Sequence, residues 1–455
     1  MLLRFNVKNF LSFNENTEFS MFSGKARMKE NHLIKTKKTN LLKFAAIYGA
    51  NAAGKSNLVK AMFYSKNIII GSMSDASRDY YFKGNTENKD KNTTFEYEIM
   101  IGDRYYAYGF NIIISKKEIC GEWLYDITNK DEKLIFERNI EENHFEYGIK
   151  FANSENKTRF NIYFEDSKLN KKSLFLNELN RNKETLYEDH NEFIVFKEIY
   201  AWFTEYLDLN FASAPITNFQ YMLSNDVSFN ESVVNTLNMF GTGITNFNLI
   251  ESDIDDIRKD LPRELLEDVK EELLKHDEGV KGVNIRGNKQ FYNITLDDNN
   301  NLKVKTLAFK HENQNGDFYL SDESDGTRRL MDLIEILLNS KNKVFVIDEI
   351  DRSLHPNLTY KFIELFLEVV ECKNVQLIVT THEDRVLDLD LLRRDEVWFA
   401  EKDNRGRTEL YSLEDFTPRF DAKIIKAYLE GRYGAVPHFK NLNIEKLNKL
   451  YCDNN

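Results

Sequence analysis

The stretch FAAIYGANAAGKSNLVKAM, residues 44–62, constrains the fold of this chain more than any other. Phe44–Tyr48 is a short apolar run that reads as a buried strand. Gly49 to Ser56 then matches GxxxxGK[ST], and the residues from Lys55 onward open a helix. Small residues in such a turn let backbone N–H groups point inward around phosphate oxygens. The helix N-terminus adds positive potential at the same place. We expect Gly49, Asn51, Ala53, Gly54, Lys55, Ser56 and Asn57 to line a bound nucleotide. Lys55 is expected to reach the β- and γ-phosphates and the Ser56 hydroxyl to meet Mg²⁺.

A second stretch fits the first. KVFVIDEIDRSLHP, from Lys343, places Asp348 and Glu349 at the end of a four-residue apolar strand. An acid leaving a strand beside a glycine loop is the second protein contact to Mg²⁺. Strand side chains alternate, so Glu349 is expected on the opposite face, polarising a water in line with the γ-phosphate. The next strand, VQLIVTTHED, ends at His382, a neutral imidazole able to hydrogen-bond that phosphate. His355, in DRSLHP, is read either as a surface residue or as a contact between subunits. A third stretch, SDESDGTRRLMDLIEIL from Ser321, is polar at its front and helical behind. Leu330, Leu333, Ile334 and Leu337 recur at i, i+3, i+4 and i+7.

Length and composition frame these motifs. The 455 residues suit two or three domains, or one large domain with an insertion. A net charge of −12 argues against a chain-wide nucleic-acid surface, and the basic run Lys35–Lys38 reads as a solvated loop. No apolar run is long enough to span a bilayer. The opening MLLRFNVKNFLSF alternates like a strand and lacks the marks of a signal peptide. Cys120, Cys372 and Cys452 form no CxxC pair, against a disulfide framework or a zinc site. A cytoplasmic protein is expected. From about Phe95 to Phe164 the chain reads as short aromatic-rich strands, and from about Ser173 to Lys275 as charged helices. Beyond Leu320, apolar strands alternate with helices, the pattern of a parallel sheet covered on both faces. VWFAEK and GRTELYSL read as a hairpin, and Asp388–Asp390 as a turn.

In this order the parts resemble the ATPase heads of the ABC type, a superfamily that includes transporter motors, SMC and RecF-like proteins and bacterial defence ATPases. The resemblance implies an α/β P-loop NTPase head, a mixed sheet core with an antiparallel β subdomain, carrying a helical insertion. Residues 1–165 form its first half, 166–285 the insertion and 286–455 the second half. It implies ATP and Mg²⁺ as ligands and ATP hydrolysis with Glu349, His382 and Lys55 as catalytic residues and Ser56 and Asp348 as metal contacts. In such heads a signature Ser and Gly of one subunit meet the γ-phosphate held by another. Glu323–Thr327 stands in that place; Ser324 and Gly326 match, whereas Asp325 and Thr327 depart from Gly and Gln. A homo-oligomer, at least a dimer of heads, follows.

Within the superfamily the chain resembles stand-alone ATPases linked to abortive phage infection, of the RloA type. FNVKNFLSF, YGANAAGKSNLVKAM, YAYGFNIIISKKEICGEWLY, ESDGTRRL, LLRRDEVWFAEKD and RFDAKIIKAYLEGRYGAVPHF carry this likeness, which is weak only between about 165 and 300. It implies a nucleotide-gated switch in antiviral defence, a separate effector or toxin protein, a phage trigger and no membrane partner. A RecF/SMC-like DNA-binding repair ATPase is the alternative. Transporter heads carry a Gln that contacts Mg²⁺; no Gln occurs here between Ser56 and Gln220.

Overall fold

The structure, a computed structural model, describes residues 1–25, 28–73, 77–181, 183–187, 192–211, 227–275, 282–287, 290–297, 299–338, 342–416 and 424–437. Gln220, Cys452 and parts of the late RFDAKIIKAYLEGRYGAVPHF motif lie outside the described residues.

The chain opens with β1 (Leu2–Lys8), β2 (Thr17–Ser20), the small hairpin β3 (Leu33–Lys35) and β4 (Asn40–Leu42), β5 (Phe44–Tyr48) and α1 (Lys55–Ile69). Aromatic-rich strands follow: β6 (Thr93–Ile101), β7 (Arg104–Ile113), β8 (Glu118–Asp126), β9 (Lys133–Asn139) and β10 (His144–Tyr147). Next come α2 (Ser154–Ser167), α3 (Phe175–Asn180), α4 (Ile194–Ala201), a π-helical turn at Trp202–Tyr206 and β11 (Leu207–Asn210). The middle of the chain adds α5 (Val227–Met239), β12 (Ile244–Glu251), α6 (Ile254–Ile257), α7 (Arg263–Lys275), β13 (Val283–Arg286), β14 (Phe291–Leu296), β15 (Leu302–His311) and β16 (Phe318–Tyr319). It closes with α8 (Asp325–Leu338), β17 (Val344–Ile347), α9 (Pro356–Val369), β18 (Gln376–Thr380), β19 (Val397–Lys402), β20 (Thr408–Ser412) and α10 (Ile424–Leu429).

The central sheet has the order β11-β17-β18-β5-β19-β20. Its first five strands run parallel and β20 returns antiparallel as the hairpin partner of β19. The glycine-loop strand β5 therefore sits between β18 and β19, two strands from β17. A second, antiparallel sheet runs β10-β9-β8-β7-β6-β1-β2, and a third joins β12, β15, β14 and β13, with β16 on β15. This is the expected mixed α/β, P-loop architecture with an antiparallel subdomain.

Strand alternation divides the central sheet between two cores. Ala45, Ile47, Val344, Val346 and Ile378 face α1 and the antiparallel sheet. Phe44, Ala46, Tyr48, Phe345, Ile347, Leu377 and Val379 face α8 and α9. Helix α8 is buried along most of its length from Thr327 to Leu337. Leu330, Leu333 and Leu337 pack on the central sheet, whereas Ile334 joins Met331 against the third sheet. The single apolar stripe expected from spacing is in fact two, because the helix is clamped between two sheets.

Elsewhere the chain departs from expectation at definable points. Strands were expected as far as Phe164, but the last described strand of that run ends at Tyr147 and α2 follows. Asn153 caps α2 by accepting from Glu155 N, and Phe160 and Phe164 bury one face. The 166–285 segment carries strands as well as helices: β11 joins the central sheet and β12 the third sheet. The Lys35–Lys38 run is solvated as expected, its exposed lysines pairing with Glu30 (Lys35, 2.8 Å) and Asp103 (Lys37, 2.5 Å).

A buried ion pair ties the antiparallel sheet to the segment after α2. Arg138 and Glu122 have no exposed side-chain surface, and Arg138 Nε donates to Glu122 Oε2 at 2.8 Å. The guanidinium also donates to the carbonyls of Ser167, Asn170 and Ser173. The carboxylate also accepts from Phe175 N, Leu176 N and Tyr108 Oη. Removing one partner leaves a buried charge uncompensated. Arg138→Met should lose about 3–5 kcal/mol of stability, read as a lower urea midpoint; an unchanged midpoint would deny the pair its structural role.

Candidate active site

The glycine loop is held from behind by two distant segments. Gly49 follows β5 so closely packed on β19 that a Cβ there would collide with Ala400 O. Gly54 has φ 113°, and a Cβ on it would collide with Thr408 and lie 2.9 Å from Ser12 Oγ. Only glycine satisfies both demands. Thr408 Oγ1 donates to Ala53 O at 2.7 Å and lies 2.7 Å from Ser12 Oγ, to which Asn57 Nδ2 donates at 2.8 Å. Asn51 and Ala52 are exposed, and Ala53, Gly54 and Lys55 are buried. The Lys55 ammonium folds back across the loop and donates to Gly49 O at 2.7 Å and Ala50 O at 3.2 Å. Burial lowers its pKa to about 8, opposed by the nearby charges of Asp348, Asp351 and Glu349.

Across from Lys55, β17 delivers the acid pair. Asp348 is buried, and its Oδ1 accepts from Ser56 Oγ at 3.0 Å and Thr380 Oγ1 at 2.6 Å. One oxygen thus joins the loop, β17 and β18. A hydroxyl and a carboxylate oxygen side by side suit Mg²⁺, which takes few protein oxygens and completes its shell with water and phosphate. Among the described residues no cluster of three or more His, Cys, Asp or Glu forms a metal site by itself. The strand ends at Ile347, so alternation does not set the direction of Glu349 as expected. A left-handed turn does: Glu349 has φ 51°. A non-glycine residue in that region costs on the order of 1–3 kcal/mol and persists only where neighbours enforce it. Here Thr380 Oγ1 accepts from Glu349 N at 2.8 Å, while Arg329 donates to Glu349 O at 3.3 Å.

His382 follows β18 and is exposed; its N–H donates to Asp351 Oδ1 at 3.3 Å. What enclosure the ring has, followed by the Lys55 cation, lowers its pKa, which keeps the imidazole neutral near pH 7. His355 is exposed and caps α9, its Nδ1 accepting from Asn357 N at 3.2 Å. Ser324 is exposed at the start of α8, where its Oγ accepts from Thr327 N at 3.0 Å. Within its own chain it is a helix cap. Gly326 lies against the segment after Glu349, since a Cβ on it would sit 3.0 Å from Ser353 O.

Lys55, Ser56, Asp348 and Glu349 thus share one site, with His382 at its margin. Sequence reasoning missed Thr380, Ser12, Thr408, Asn210, Arg329 and Asp351. The doubled Thr of VTTH and the second acid of DEID were visible but had no partner to point to. The pairing of Ser12 with Thr408 spans nearly the whole chain and leaves no local mark.

A family profile described as "AAA domain, putative AbiEii toxin, Type IV TA system" matches residues 44–388. That span holds every candidate residue from Gly49 to His382. The chain belongs to this AAA family. Among solved structures it is similar to an SmcHead bound to the C-winged helix domain of ScpA (TM-score 0.43, 12% identity, covering 90% of this chain and 97% of that one). It is also similar to the SMC head domain from Thermotoga maritima (0.36, 13%, 90% and 98%). A third is the Smc head domain with an extended coiled coil bound to the C-terminal domain of ScpA derived from Pyrococcus furiosus (0.42, 12%, 95% and 99%). No curated protein matches the chain. No helix among the described residues of this AAA protein is long and apolar enough to cross a membrane.

The lowered pKa of Lys55 predicts that a phosphate held by this side chain is bound in a pH-dependent way. A phosphate favours the protonated ammonium, which predominates below pH 8 and is lost above it. Affinity for ATP should therefore be level from pH 6.5 to 7.5 and weaken as pH rises past 8, by up to about tenfold per unit. Lys55→Arg should flatten that profile. Titration calorimetry decides; equal affinity at pH 7 and 9.5 would contradict the expected contact of Lys55 with the phosphates.

Proposed function

We propose that this chain is a Mg-ATP-dependent ATPase whose copies close on nucleotide, hydrolyse it and reopen, as an oligomeric switch in antiviral defence. The observation that carries the reading is the 3.0 Å approach of Ser56 to Asp348, with Glu349 in a held turn one residue on. In this reading Gly49, Asn51, Ala53, Gly54, Lys55, Ser56 and Asn57 cradle the triphosphate. Ser56 and Asp348 would hold Mg²⁺, which when bound would supply charge neutralisation at the phosphates.

The chain's own groups then have defined tasks. Lys55 exchanges two loop carbonyls for phosphate oxygens, a stronger, charge-assisted pairing. Thr380 fixes Asp348 and the Glu349 backbone together, so the carboxylate is aimed before nucleotide arrives. Glu349 takes the proton of the attacking water. Neutral His382 donates to a γ-phosphate oxygen. Ser324 and Gly326 of a second copy close the pocket from the other side, so ATP joins two molecules. Residues 1–165 and 286–455 act as the two halves of the head, and 166–285 as the insertion that carries closure to a partner. In this reading a separately encoded effector or toxin protein is released or held by that motion, with a phage component as trigger.

Glu349→Gln keeps the shape and removes the base. It should lower phosphate release by about 10²–10⁴-fold and accumulate an ATP-bound dimer on size-exclusion chromatography. Undiminished hydrolysis by this variant would end the proposal.

A further inference from the structure

We infer that Arg329 is a positioning residue that ties the Ser324–Gly326 segment to Glu349 within one chain, so that capture of Ser324 by nucleotide on a second copy resets the carboxylate of the first. The inference rests on the ATPase reading above and adds to it a path between the two sites of a dimer.

Arg329 lies on the second turn of α8 and is only 7% exposed. One guanidinium nitrogen donates to Asn210 Oδ1 at 3.1 Å and the other to Glu349 O at 3.3 Å. Its Nε has no hydrogen-bond partner. A buried guanidinium is held by what it grips, and its two-pronged, planar geometry lets it grip two acceptors at a fixed angle, which a lysine does not do. Burial first, and the Arg352 cation, disfavour its charge and lower its pKa, opposed by Asp332, Asp351 and Asp348.

Both acceptors belong to the acid turn. Asn210 ends β11, and its backbone O accepts from Asp348 N at 2.8 Å. Glu349 O also accepts from Arg352 N at 3.1 Å, and Glu349 N is held by Thr380. Every polar group of the strained Glu349 backbone is therefore fixed, and only the Arg329 bond comes from the helix that begins beside exposed Ser324. The far end of that helix segment is just as firmly placed. Gly326 packs on Ser353 O, and buried Glu323, the residue before Ser324, lies 2.7 Å from His311 Nε2 of β15. With α8 clamped between two sheets, a shift at Ser324 travels along the helix and not into its surroundings. A left-handed residue such as Glu349 has a second, lower-strain basin to move into, so the pull on its carbonyl has a discrete outcome.

The test uses the full chain and Arg329→Gln and Arg329→Lys, with folding checked by circular dichroism and urea midpoint. ATP affinity, kcat and the Hill coefficient of hydrolysis are measured together. Arg329→Gln should bind ATP within about threefold of the parent, lose at least tenfold in kcat and bring a Hill coefficient above 1 down to 1. Arg329→Lys should restore affinity and fold without restoring kcat. On a Glu349→Gln background, Arg329→Gln should leave ATP-driven dimerisation intact, which a general loss of structure would not. If Arg329→Gln does not fold, Asn210→Ser, which removes one grip and keeps the backbone bond, is read in the same way. A folded variant with parental kcat and cooperativity overturns the inference while leaving the ATPase standing, as does a parent protein that hydrolyses ATP without cooperativity. A parent that neither binds nor hydrolyses ATP overturns both.

Discussion

Asp348 Oδ1 accepts hydroxyl hydrogens from Ser56 and Thr380, and the rest of the site is arranged around that oxygen. The bonds span three segments that the chain visits far apart: the helix after the glycine loop, the end of β17 and the end of β18. They bring a carboxylate, a hydroxyl and the neighbouring Lys55 into one enclosure at the C-terminal edge of a parallel sheet. In a doubly covered sheet of this kind, ligands bind at that edge because strand ends, helix starts and loops converge there. The enclosure also explains the depressed pKa of Lys55, since the same burial that shields the carboxylate strips water from the ammonium.

The elements most legible in sequence were those whose chemistry is local. Phe44–Tyr48 reads as a strand from its apolar run, and the GxxxxGKS turn from steric demands that Gly49 and Gly54 meet. β17, β18, α9 and the β19–β20 hairpin are also where their patterns put them. What was hidden is what depends on partners. The strand patch expected to reach Phe164 gives way to α2, because Phe160 and Phe164 are one helical turn apart and Asn153 can cap them, a signal that aromatic richness obscured. The four-residue β11 is too short to announce itself beside α4 and the π-helical turn, yet it forms the edge of the central sheet and brings Asn210 to the acid pair. Arg329 leaves no local mark either, because its acceptors come from β11 and from the turn after β17.

The two glycine-loop braces belong to the same class of hidden partner. Ser12 lies in the turn after β1, and Thr408 opens β20. Neither motif carries chemistry of its own. Together they fix Ala53 O and the Asn57 side chain, and with them the course of the loop. Segments near the two ends of the described chain are therefore joined behind the loop.

In the proposed switch, Ser324 combines a structural and an intermolecular role on one atom. Its oxygen accepts from Thr327 N, which satisfies one orphan donor of α8 and uses one lone pair. Its Oγ also lies 2.8 Å from Thr327 Oγ1, a contact in which either hydroxyl can donate, so the Ser324 hydrogen is free for another acceptor when Thr327 donates; the side chain is exposed. Asp325, standing where the resembling heads have glycine, would repel a phosphate if its charge were bare. It is paired instead with Arg328 on the next turn. The helix start thus presents a hydroxyl, first-turn N–H groups and a neutralised acid, so the substitution at Asp325 is compatible with an anion from another molecule. The cap orders the same atoms that such an anion would need, and the entropy of ordering them is met before any second copy arrives.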